Sequence, residues 1–384
     1  MTGGLDIVFL GLSITSSWGN GHATTYRGLV RELAARGHRV RFLERDRPWY
    51  AKNRDLPHPT GADTHIYSSL DELFIDHGPA VRGADAVIVG SYVPDGIAVG
   101  EWVTETATGV AAFYDIDTPV TLAKLRSGDV QYLNRELIPR YDLYLSFTGG
   151  PTLGVIEREF GSQYARPLYC SVNPSEYYPE EAGERWALGY LGTYSDDRQP
   201  AVERLLMEPA RTCGMLRFAV VGPQYPDGIA WPPNVERIEH LPPSDHRWFY
   251  NSQRFTLNVT RAAMVEAGYA PSVRLFESAA CGTPAITDFW PGLDAFFAIG
   301  EEIVVAHHAR DVVEALRGMR AGDAEAIGQR ARERVLRSHT AAHRAAELEG
   351  YLVDLLGADL ADPVTAHEVQ QVADGAPRPY PGTP

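Results

Sequence analysis

Short apolar runs alternate with amphipathic segments along the first half of the chain. These runs are LDIVFLGL (5–12), HRVRFL (38–43), AVIVG (86–90), VAAFY (110–114) and LYLSF (143–147). Their length and near-continuous apolar character are typical of parallel strands buried on both faces. Between the first two runs, Leu29 and Leu33 recur at helical spacing within 24–35. The pattern predicts a Rossmann-like domain over residues 1–171.

A second alternating set follows a linker over residues 172–186, which is rich in proline and acidic residues. The predicted strands are Ala187–Leu191, Arg217–Val221, Val235–Glu239, Phe255–Val259, Pro284–Asp288 and Glu302–Val305. The predicted helices are Pro200–Met207, His246–Asn251, Val273–Ala280, Ala309–Arg317 and Asp323–Ser338. They predict a second Rossmann-like domain over 187–340. A helix over 341–356 is expected to cross back onto the first domain, and 357–384 gather Pro and Gly as a loose tail.

The predicted architecture is therefore α/β, with two Rossmann-like domains facing a cleft. Open parallel sheets bind ligands beyond the carboxyl ends of their strands, where helix N-termini present free N–H groups. A cleft between two such edges suits a reaction that joins two substrates, because hinge closure excludes water.

Composition narrows the function classes. No run of eighteen apolar residues occurs, so no membrane span is expected, and MTGGLDIVFLGL lacks the basic start of a signal peptide. Cys170, Cys213 and Cys281 have no metal-ligand spacing, which favours a reduced, cytoplasmic protein. The formal net charge of −15 argues against a nucleic-acid partner.

One segment between Arg27 and Arg54 is locally basic. Its other basic residues are Arg31, Arg36, Arg39, Arg41, Arg45, Arg47 and Lys52. Contact with anionic lipid at a membrane surface is one interpretation. A solvated helix face followed by an edge loop is the other, and it is favoured.

The loop SSWGNGH (16–22) separates the first strand from the first helix. Gly19 and Gly21 allow the backbone to approach a ligand, and the helix start favours an anion. Both glycines are therefore predicted to contact the donor, one of the two substrates. His22 begins the helix at the cleft and is a candidate catalytic base. Its alternative role is helix capping or substrate orientation.

The string FYDIDTP (113–119) ends a predicted strand. Carboxylates there lie on the cleft rim, where Asp117 is predicted to orient an imidazole, act as a base or stabilise charge. The alternative for Asp117 is a helix N-cap. The D-x-D string also resembles a metal-binding signature of enzymes that have a single-domain fold. Two successive α/β domains argue against a single-domain layout, so no metal site is predicted.

Two motifs of the second domain predict a diphosphate site. In GYLGTYSDDRQ (189–199), backbone N–H groups at Gly192, the Thr193 hydroxyl and Arg198 are placed to hold phosphate, although an ordinary turn with a surface arginine fits as well. In GYAPSVRLFESAACGTP (268–284), Ser272 and Arg274 lie in the first turn of a helix, and Glu277 follows one turn later. A carboxylate suits a diol because both of its oxygens accept hydrogen bonds. The alternative is a helix with a solvated Glu–Arg pair.

The segment FESAACGTP resembles the donor-binding helix of family 4 GT-B glycosyltransferases. The longer string, with WPGLD (290–294), resembles the CgeB-like (spore maturation) glycosyltransferase group, as do DTP (117–119), SFTGG (146–150) and GTY (192–194). The resemblance extends to about residue 355 and implies a GT-B fold.

By this resemblance, Glu277 matches the second of two glutamates and holds the donor ribose. Tyr269 stands where the family has the first glutamate, which contacts the donor sugar, so the sugar and the retaining mechanism are left open. The resemblance also implies that His240 and Leu241 hold the nucleobase through backbone groups.

The predicted function is transfer of a sugar from a nucleotide-diphosphate sugar to an acceptor, as in bacterial hexosyltransferases. The nucleotide is expected to be UDP or dTDP, with no metal or further cofactor, and the acceptor to be a small molecule or glycan. A nucleotide-sugar epimerase of the same fold and a non-catalytic scaffold protein are the alternatives.

Overall fold

The computed structural model of this chain describes residues 3–358, so the predicted tail lies outside the described residues except for its first two positions. The elements of the first half are β1 (Asp6–Gly11), α1 (His22–Ala35), β2 (Arg39–Arg45), α2 (Pro48–Ala51), β3 (Asp63–Tyr67), α3 (Leu70–Asp76), α4 (Gly78–Gly83), β4 (Ala86–Gly90), α5 (Gly96–Thr106), β5 (Val110–Asp115), α6 (Thr118–Ser127), β6 (Leu143–Ser146), α7 (Pro151–Phe160) and β7 (Ala165–Pro167).

The second half begins with β8 (Trp186–Leu191), and its further strands are β9 (Phe218–Val221), β10 (Val235–Ile238), β11 (Gln253–Asn258), β12 (Ala285–Thr287) and β13 (Val304–Val305). Its helices are α8 (Gln199–Val202), α9 (Glu208–Thr212), α10 (Pro243–Asn251), α11 (Ala262–Ala267), α12 (Val273–Ala280), α13 (Ala309–Gly318), α14 (Ala321–Ser338) and α15 (Ala341–Ala358). A π-helical turn, Glu203–Met207, joins α8 to α9 where the sequence predicts one helix.

Two all-parallel sheets form the frame of the molecule. The first has the strand order β3-β2-β1-β4-β5-β6-β7, and the second has the order β10-β9-β8-β11-β12-β13. The predicted α/β class with two Rossmann-like sheets is confirmed.

The strands are apolar throughout because both faces of each sheet are covered. In β1, Val8 and Leu10 pack into one hydrophobic cluster, while Ile7 and Phe9 pack into the cluster on the opposite face. The sequence pattern missed β3 and β7. Both are edge strands, and an edge strand such as β3, with the sequence DTHIY, does not need a continuous apolar run.

Two crossover segments connect the sheets and pair with each other. Val172 N–H donates to the carbonyl of His339, and Ala341 N–H donates to the carbonyl of Val172. Helix α15 then packs on α1, where an added Cβ on Gly28 would lie 3.1 Å from the Cβ of Ala341. The end of the chain described here therefore covers the first sheet.

A buried guanidinium holds the two crossovers together. Arg344 is 3% exposed, and it donates to the carbonyl of Cys170 at 3.4 Å and to Nδ1 of His339 at 2.8 Å. Burial, followed by the charge of Arg344, lowers the pKa of His339 to about 3, so the ring stays neutral and accepts. Arg344 also pairs with Glu347 at 2.5 Å.

Most of the basic side chains between Arg27 and Arg54 have an acidic partner within 4 Å. The paired ones are Arg27, Arg31, Arg36, Arg39, Arg41, Arg45 and Arg54. This neutralisation favours the solvated face over a lipid-binding patch. Within residues 3–358, no helix has both the length and the apolar character needed to cross a bilayer.

Replacing Arg344 tests the crossover contact. We expect Arg344→Met to lower the free energy of unfolding by about 2–4 kcal/mol, because a buried carbonyl and the His339 ring lose their donor. Urea-induced unfolding followed by tryptophan fluorescence measures the change. Arg310→Met is the control: its side chain is 77% exposed, and the expected change is within about 0.5 kcal/mol. Equal effects of the two substitutions would contradict the assignment.

Candidate functional site

The strand orders place one ligand-binding position on each sheet. In the first sheet the order reverses between β1 and β4, and in the second it reverses between β8 and β11. Ligands of open parallel sheets bind beyond the carboxyl ends of the strands at such reversals. His22 and Tyr92 follow the first pair of strands, and Thr193 and Arg261 follow the second pair.

The helix predicted over 273–280 has those bounds in the structure as α12. Ser272 is its N-cap, with extended backbone, and the Ser272 hydroxyl accepts from the N–H of Arg274 at 3.4 Å. Phe276 is fully buried. Val273 is half-buried because it lies in the first turn, where the helix emerges from the core.

Arg198 and Arg274 bring two guanidinium groups to this helix start. Their side-chain hydrogen bonds within the described chain go to neutral oxygens, the Thr193 carbonyl (2.6 Å) and the Ser272 hydroxyl (3.5 Å). The Nε atoms of both arginines are buried without a partner. Burial, followed by the charges of Arg274 and Arg261, lowers the pKa of Arg198. An anion would compensate both charges and accept hydrogen bonds from both groups.

Two further polar atoms at the same sheet edge lack partners. The hydroxyl of Tyr190, near the end of β8, and Oδ1 of Asn258, at the end of β11, are both buried and unsatisfied. Buried polar groups are normally hydrogen-bonded, so such a group at a site indicates a ligand or ordered water. The Tyr190 hydroxyl and Asn258 Oδ1 therefore add to the polar atoms without hydrogen-bond partners at the edge of the sheet where Arg198 lies.

Glu277 lies inside, one turn beyond the start of α12. It is 6% exposed, and one carboxylate oxygen accepts from the Tyr250 hydroxyl at 2.9 Å. Burial, and then the charge of Glu277, raise the pKa of Tyr250 well above its usual range. Glu277 also opposes the burial that lowers the pKa of His246. The acidic group is therefore held by the protein beside the helix start and is not solvated on the surface.

The predicted nucleobase segment has one exposed and one half-buried member. His240 is exposed and Leu241 is half-buried, and the Leu241 carbonyl is 3.2 Å from Nε2 of His246. Gly222, after β9, has φ 144°, and an added Cβ there would lie 2.1 Å from the carbonyl oxygen of Gly192. The two strand-end turns of the second sheet therefore touch, and only glycine fits between them.

On the opposite wall, His22 is the first residue of α1. Its ring packs edge-on against Tyr92 at 5.5 Å, and its Nδ1 is buried without a partner. Burial lowers the pKa of His22, and the charge of Asp117 opposes that shift. The imidazole is therefore neutral near pH 7 and able to take a proton.

Asp115 and Asp117 have different environments although both belong to the same motif. Asp115 is fully buried and accepts from the Tyr144 hydroxyl at 2.6 Å and from Thr121 at 2.8 Å, while burial raises its pKa to about 6. Asp117 occupies the N-cap position of α6, but its side chain makes no capping hydrogen bond. Its charge acts instead on His22 and Tyr92.

Gly19 and Gly21 are exposed in the loop before His22, and an added Cβ on either would meet nothing within 4 Å. A ligand can therefore reach the backbone at Gly19 and Gly21, as a contact with the donor substrate requires. Within residues 3–358, no three His, Cys, Asp or Glu side chains are grouped closely enough to hold a metal ion.

A cavity of about 510 Å³ lies at the other edge of the first sheet, where β1, β2 and β3 begin. Its charged lining is already paired, Arg39 with Asp6 and Arg41 with Asp63. It offers none of the unsatisfied groups found at the carboxyl ends of the strands.

Sequence reasoning missed Tyr92, Tyr190, Tyr250 and His246. Tyr92 and Tyr190 carry a positional signal, because each lies at or just after the end of a predicted strand. Tyr250 and His246 lie within α10, and only packing against α12 brings them to Glu277.

Residues 198–350 match the glycosyl transferase-like family. This region includes Arg198, α12 and Glu277. No curated protein matches the chain in sequence.

Solved structures of similar shape cover nearly the whole described chain. Sucrose-phosphate synthase from Thermosynechococcus elongatus has a TM-score of 0.64 and 15% identity over 92% of this chain and 100% of its own. Anabaena HepE in complex with UDP and glucose has a TM-score of 0.68 and 10% identity over 91% and 100%.

An alpha-glucosyltransferase in complex with UDP-glucose and DNA containing an abasic site has a TM-score of 0.69 and 12% identity, over 91% of this chain and 100% of its own. At these identities the similarity shows the fold, which is GT-B. The fold and the family match agree on the class of glycosyltransferases.

The electrostatic effect of Asp117 on His22 predicts a measurable difference in the His22 pKa. His22 should titrate below 6.5, and Asp117→Asn should lower its pKa further, because the substitution removes the negative charge that favours the imidazolium form. Histidine ring resonances in NMR spectra recorded against pH give both values. Asp129→Asn, at an exposed position, should leave the His22 pKa unchanged. An unchanged or higher His22 pKa in Asp117→Asn would show that the carboxylate does not favour the imidazolium form.

Proposed function

We propose that this protein transfers a sugar from a nucleotide-diphosphate sugar to an acceptor hydroxyl. The observation that carries the proposal is the pair Arg198 and Arg274 at the start of α12, desolvated and without a carboxylate partner. A diphosphate supplies the missing negative charge and accepts from both guanidinium groups.

The same groups stabilise the leaving group. As the bond between the anomeric carbon and the phosphate oxygen breaks, negative charge accumulates on the diphosphate, next to Arg198, Arg274 and the N–H groups of α12. Fixed positive groups of this kind supply the charge stabilisation that a metal ion provides elsewhere, so we propose a metal-independent reaction. Glu277 accepts from the ribose hydroxyls, and Gly192, Thr193 and the segment His240–Leu241 surround the nucleotide.

The first domain supplies the acceptor side. The neutral His22 ring takes the proton of the acceptor hydroxyl as its oxygen bonds to the anomeric carbon, and Asp117 stabilises the imidazolium that forms. Attack from the face opposite the leaving group inverts the anomeric centre. NMR of the product distinguishes this outcome from the retention expected by resemblance to family 4.

UDP or dTDP is the proposed nucleotide, and UDP is supported by neighbours whose structures contain UDP or UDP-glucose. Among glycosyl transferase-like proteins, the CgeB-like group is the one whose motifs this chain resembles. A small molecule or glycan is the proposed acceptor, because a net charge of −15 disfavours DNA. The buried free thiols of Cys170, Cys213 and Cys281 support a reducing, cytoplasmic setting.

Nucleotide binding tests the arginine pair. Arg198→Ala and Arg274→Ala should each weaken UDP binding by about 10- to 100-fold, since each removes a charge-assisted hydrogen bond to phosphate. Isothermal titration calorimetry measures the dissociation constants, and the same titration with EDTA present tests metal independence.

Arg254→Ala is the matched control. Arg254 also has a buried Nε without a hydrogen bond, but it lies at the beginning of β11, at the opposite edge of the sheet, and its Nε is 3.9 Å from Glu184. Its loss should leave UDP affinity unchanged. If all three variants bind UDP as the wild type does, the diphosphate site lies elsewhere.

Donor chemistry distinguishes the candidate functions. UDP-, GDP- and dTDP-sugars are incubated with the protein, with and without a panel of small-molecule and glycan acceptors, and products are resolved by mass spectrometry and NMR. We expect a glycosylated acceptor, with only slow donor hydrolysis when acceptor is absent. Interconversion of the sugar without acceptor would identify an epimerase, and failure to bind any nucleotide would favour a scaffold protein.

A further inference from the structure

Three sequence motifs that the proposed chemistry does not use meet at a single side chain. They are SFTGG (146–150) in the first domain, and GY (268–269) and WPGLD (290–294) in the second. Each contributes an atom or a glycine to the surroundings of Tyr269. Resting on the proposed function, we infer that Tyr269 is a positioning residue that sets the donor helix α12 against the acceptor-side wall.

The Tyr269 ring is wedged between two glycines of different domains. A Cβ added to Gly150 would lie 2.3 Å from Cδ2 of the ring, and one added to Gly292 would lie 2.6 Å from Cδ1. Real Cβ contacts are never this short, so both positions must lack a side chain for the ring to occupy its place. One edge of the ring therefore faces the first domain and the other faces the second.

The Tyr269 backbone joins the same two loops. Its carbonyl accepts from the N–H of Gly149 at 3.0 Å, and its own N–H donates to the carbonyl of Pro291 at 2.7 Å. Tyr269 has φ 47°, the left-handed region that residues with a side chain rarely adopt. Such a conformation persists where surrounding contacts fix it, and here those contacts come from both domains.

The chain connects this joint to α12, and hydrogen bonds connect it to the first domain. Ser272, the N-cap of α12, follows Tyr269 by three residues. On the other side, Thr148 N–H donates to the Ser146 hydroxyl at 3.0 Å, and that hydroxyl is 2.8 Å from the hydroxyl of Thr118. Thr118 directly follows Asp117, so the joint is connected along the chain to the start of α12 and through these hydrogen bonds to the acceptor-side loop.

The ring, and not its hydroxyl, makes these contacts. Loss of the ring should free the domains to move apart while the nucleotide grip of Arg198 and Arg274 stays intact. Tyr269→Phe keeps the wedge, and Tyr269→Leu removes it. The two substitutions therefore separate the proposed role from hydrogen bonding by the phenol.

Distance measurements between the domains test this role directly. Spin labels are placed at Ile75→Cys and Met215→Cys, whose native side chains are 73% and 97% exposed, while the native cysteines are buried. Pulsed electron paramagnetic resonance should give one narrow distance distribution for wild type and Tyr269→Phe. For Tyr269→Leu and Gly292→Ala the distribution should be wider by about twofold or more.

Gly128→Ala is the matched control for Gly292→Ala. Gly128 has φ 77° and ψ 11°, close to the φ 85° and ψ 6° of Gly292, so both alanines carry the same backbone strain. An added Cβ at Gly128 meets nothing within 4 Å, whereas one at Gly292 meets the Tyr269 ring. Gly128→Ala should therefore keep the narrow distribution.

Unchanged distributions in Tyr269→Leu and Gly292→Ala would overturn the inference, and so would equal broadening in Gly128→Ala or in Tyr269→Phe. UDP titrations of the same variants should give dissociation constants within about threefold of wild type, because the nucleotide site is complete without the ring. If the wild-type protein does not bind UDP, the proposed function is refuted. The distance measurements then still decide whether Tyr269 positions the two domains.

Discussion

Positive charge held out of water without a counter-charge is the constraint that organises this molecule. Removing a guanidinium from water is costly unless a carboxylate or other anion compensates it. Arg344, for example, is compensated by Glu347. Arg198 and Arg274 instead converge on a helix start whose N–H groups also favour an anion. This arrangement is the basis for the proposed diphosphate site in the second domain.

The facing wall shows how one residue type takes two roles. Asp115 is enclosed by Tyr144 and Thr121, and burial raises its pKa to about 6. It supports the end of β5, with the Asp117 N–H donating to it at 3.2 Å. Asp117 lies beyond the strand, where its charge reaches His22. Their environments therefore differ although their residue type is the same: one carboxylate is enclosed by hydrogen-bond donors, and the other acts electrostatically on His22.

Two joints between the domains fix where these walls stand. At the back, Arg344 connects the crossover segments, and His339 stacks on Phe276 of α12 at 4.8 Å. At the front, Tyr269 contacts both domains just before α12 begins. Helix α12 is thus contacted by other parts of the chain just before its start and at its middle. A group transfer needs this control of geometry, because reacting atoms must meet within a few tenths of an ångström.

Local sequence patterns were enough to predict the central strands and the helix α12. Runs such as AVIVG predicted central strands, since a strand covered on both faces is apolar at every position. The start of α12 at Ser272 was also predicted, because capping depends on neighbours within one turn. The edge strands β3 and β7 were not predicted, since a partly exposed strand does not have a continuous apolar run.

The candidate site was predicted only in part. Sequence placed His22, Asp117, Arg198 and Arg274 at element ends, where the fold class expects ligands. It did not show that Asp115 is buried, that His22 packs on Tyr92, or that the Nε atoms of both arginines lack a partner. The sequence determined the elements because period and capping are local properties. The tertiary structure alone decided burial and partnership, because they depend on residues far apart in the chain.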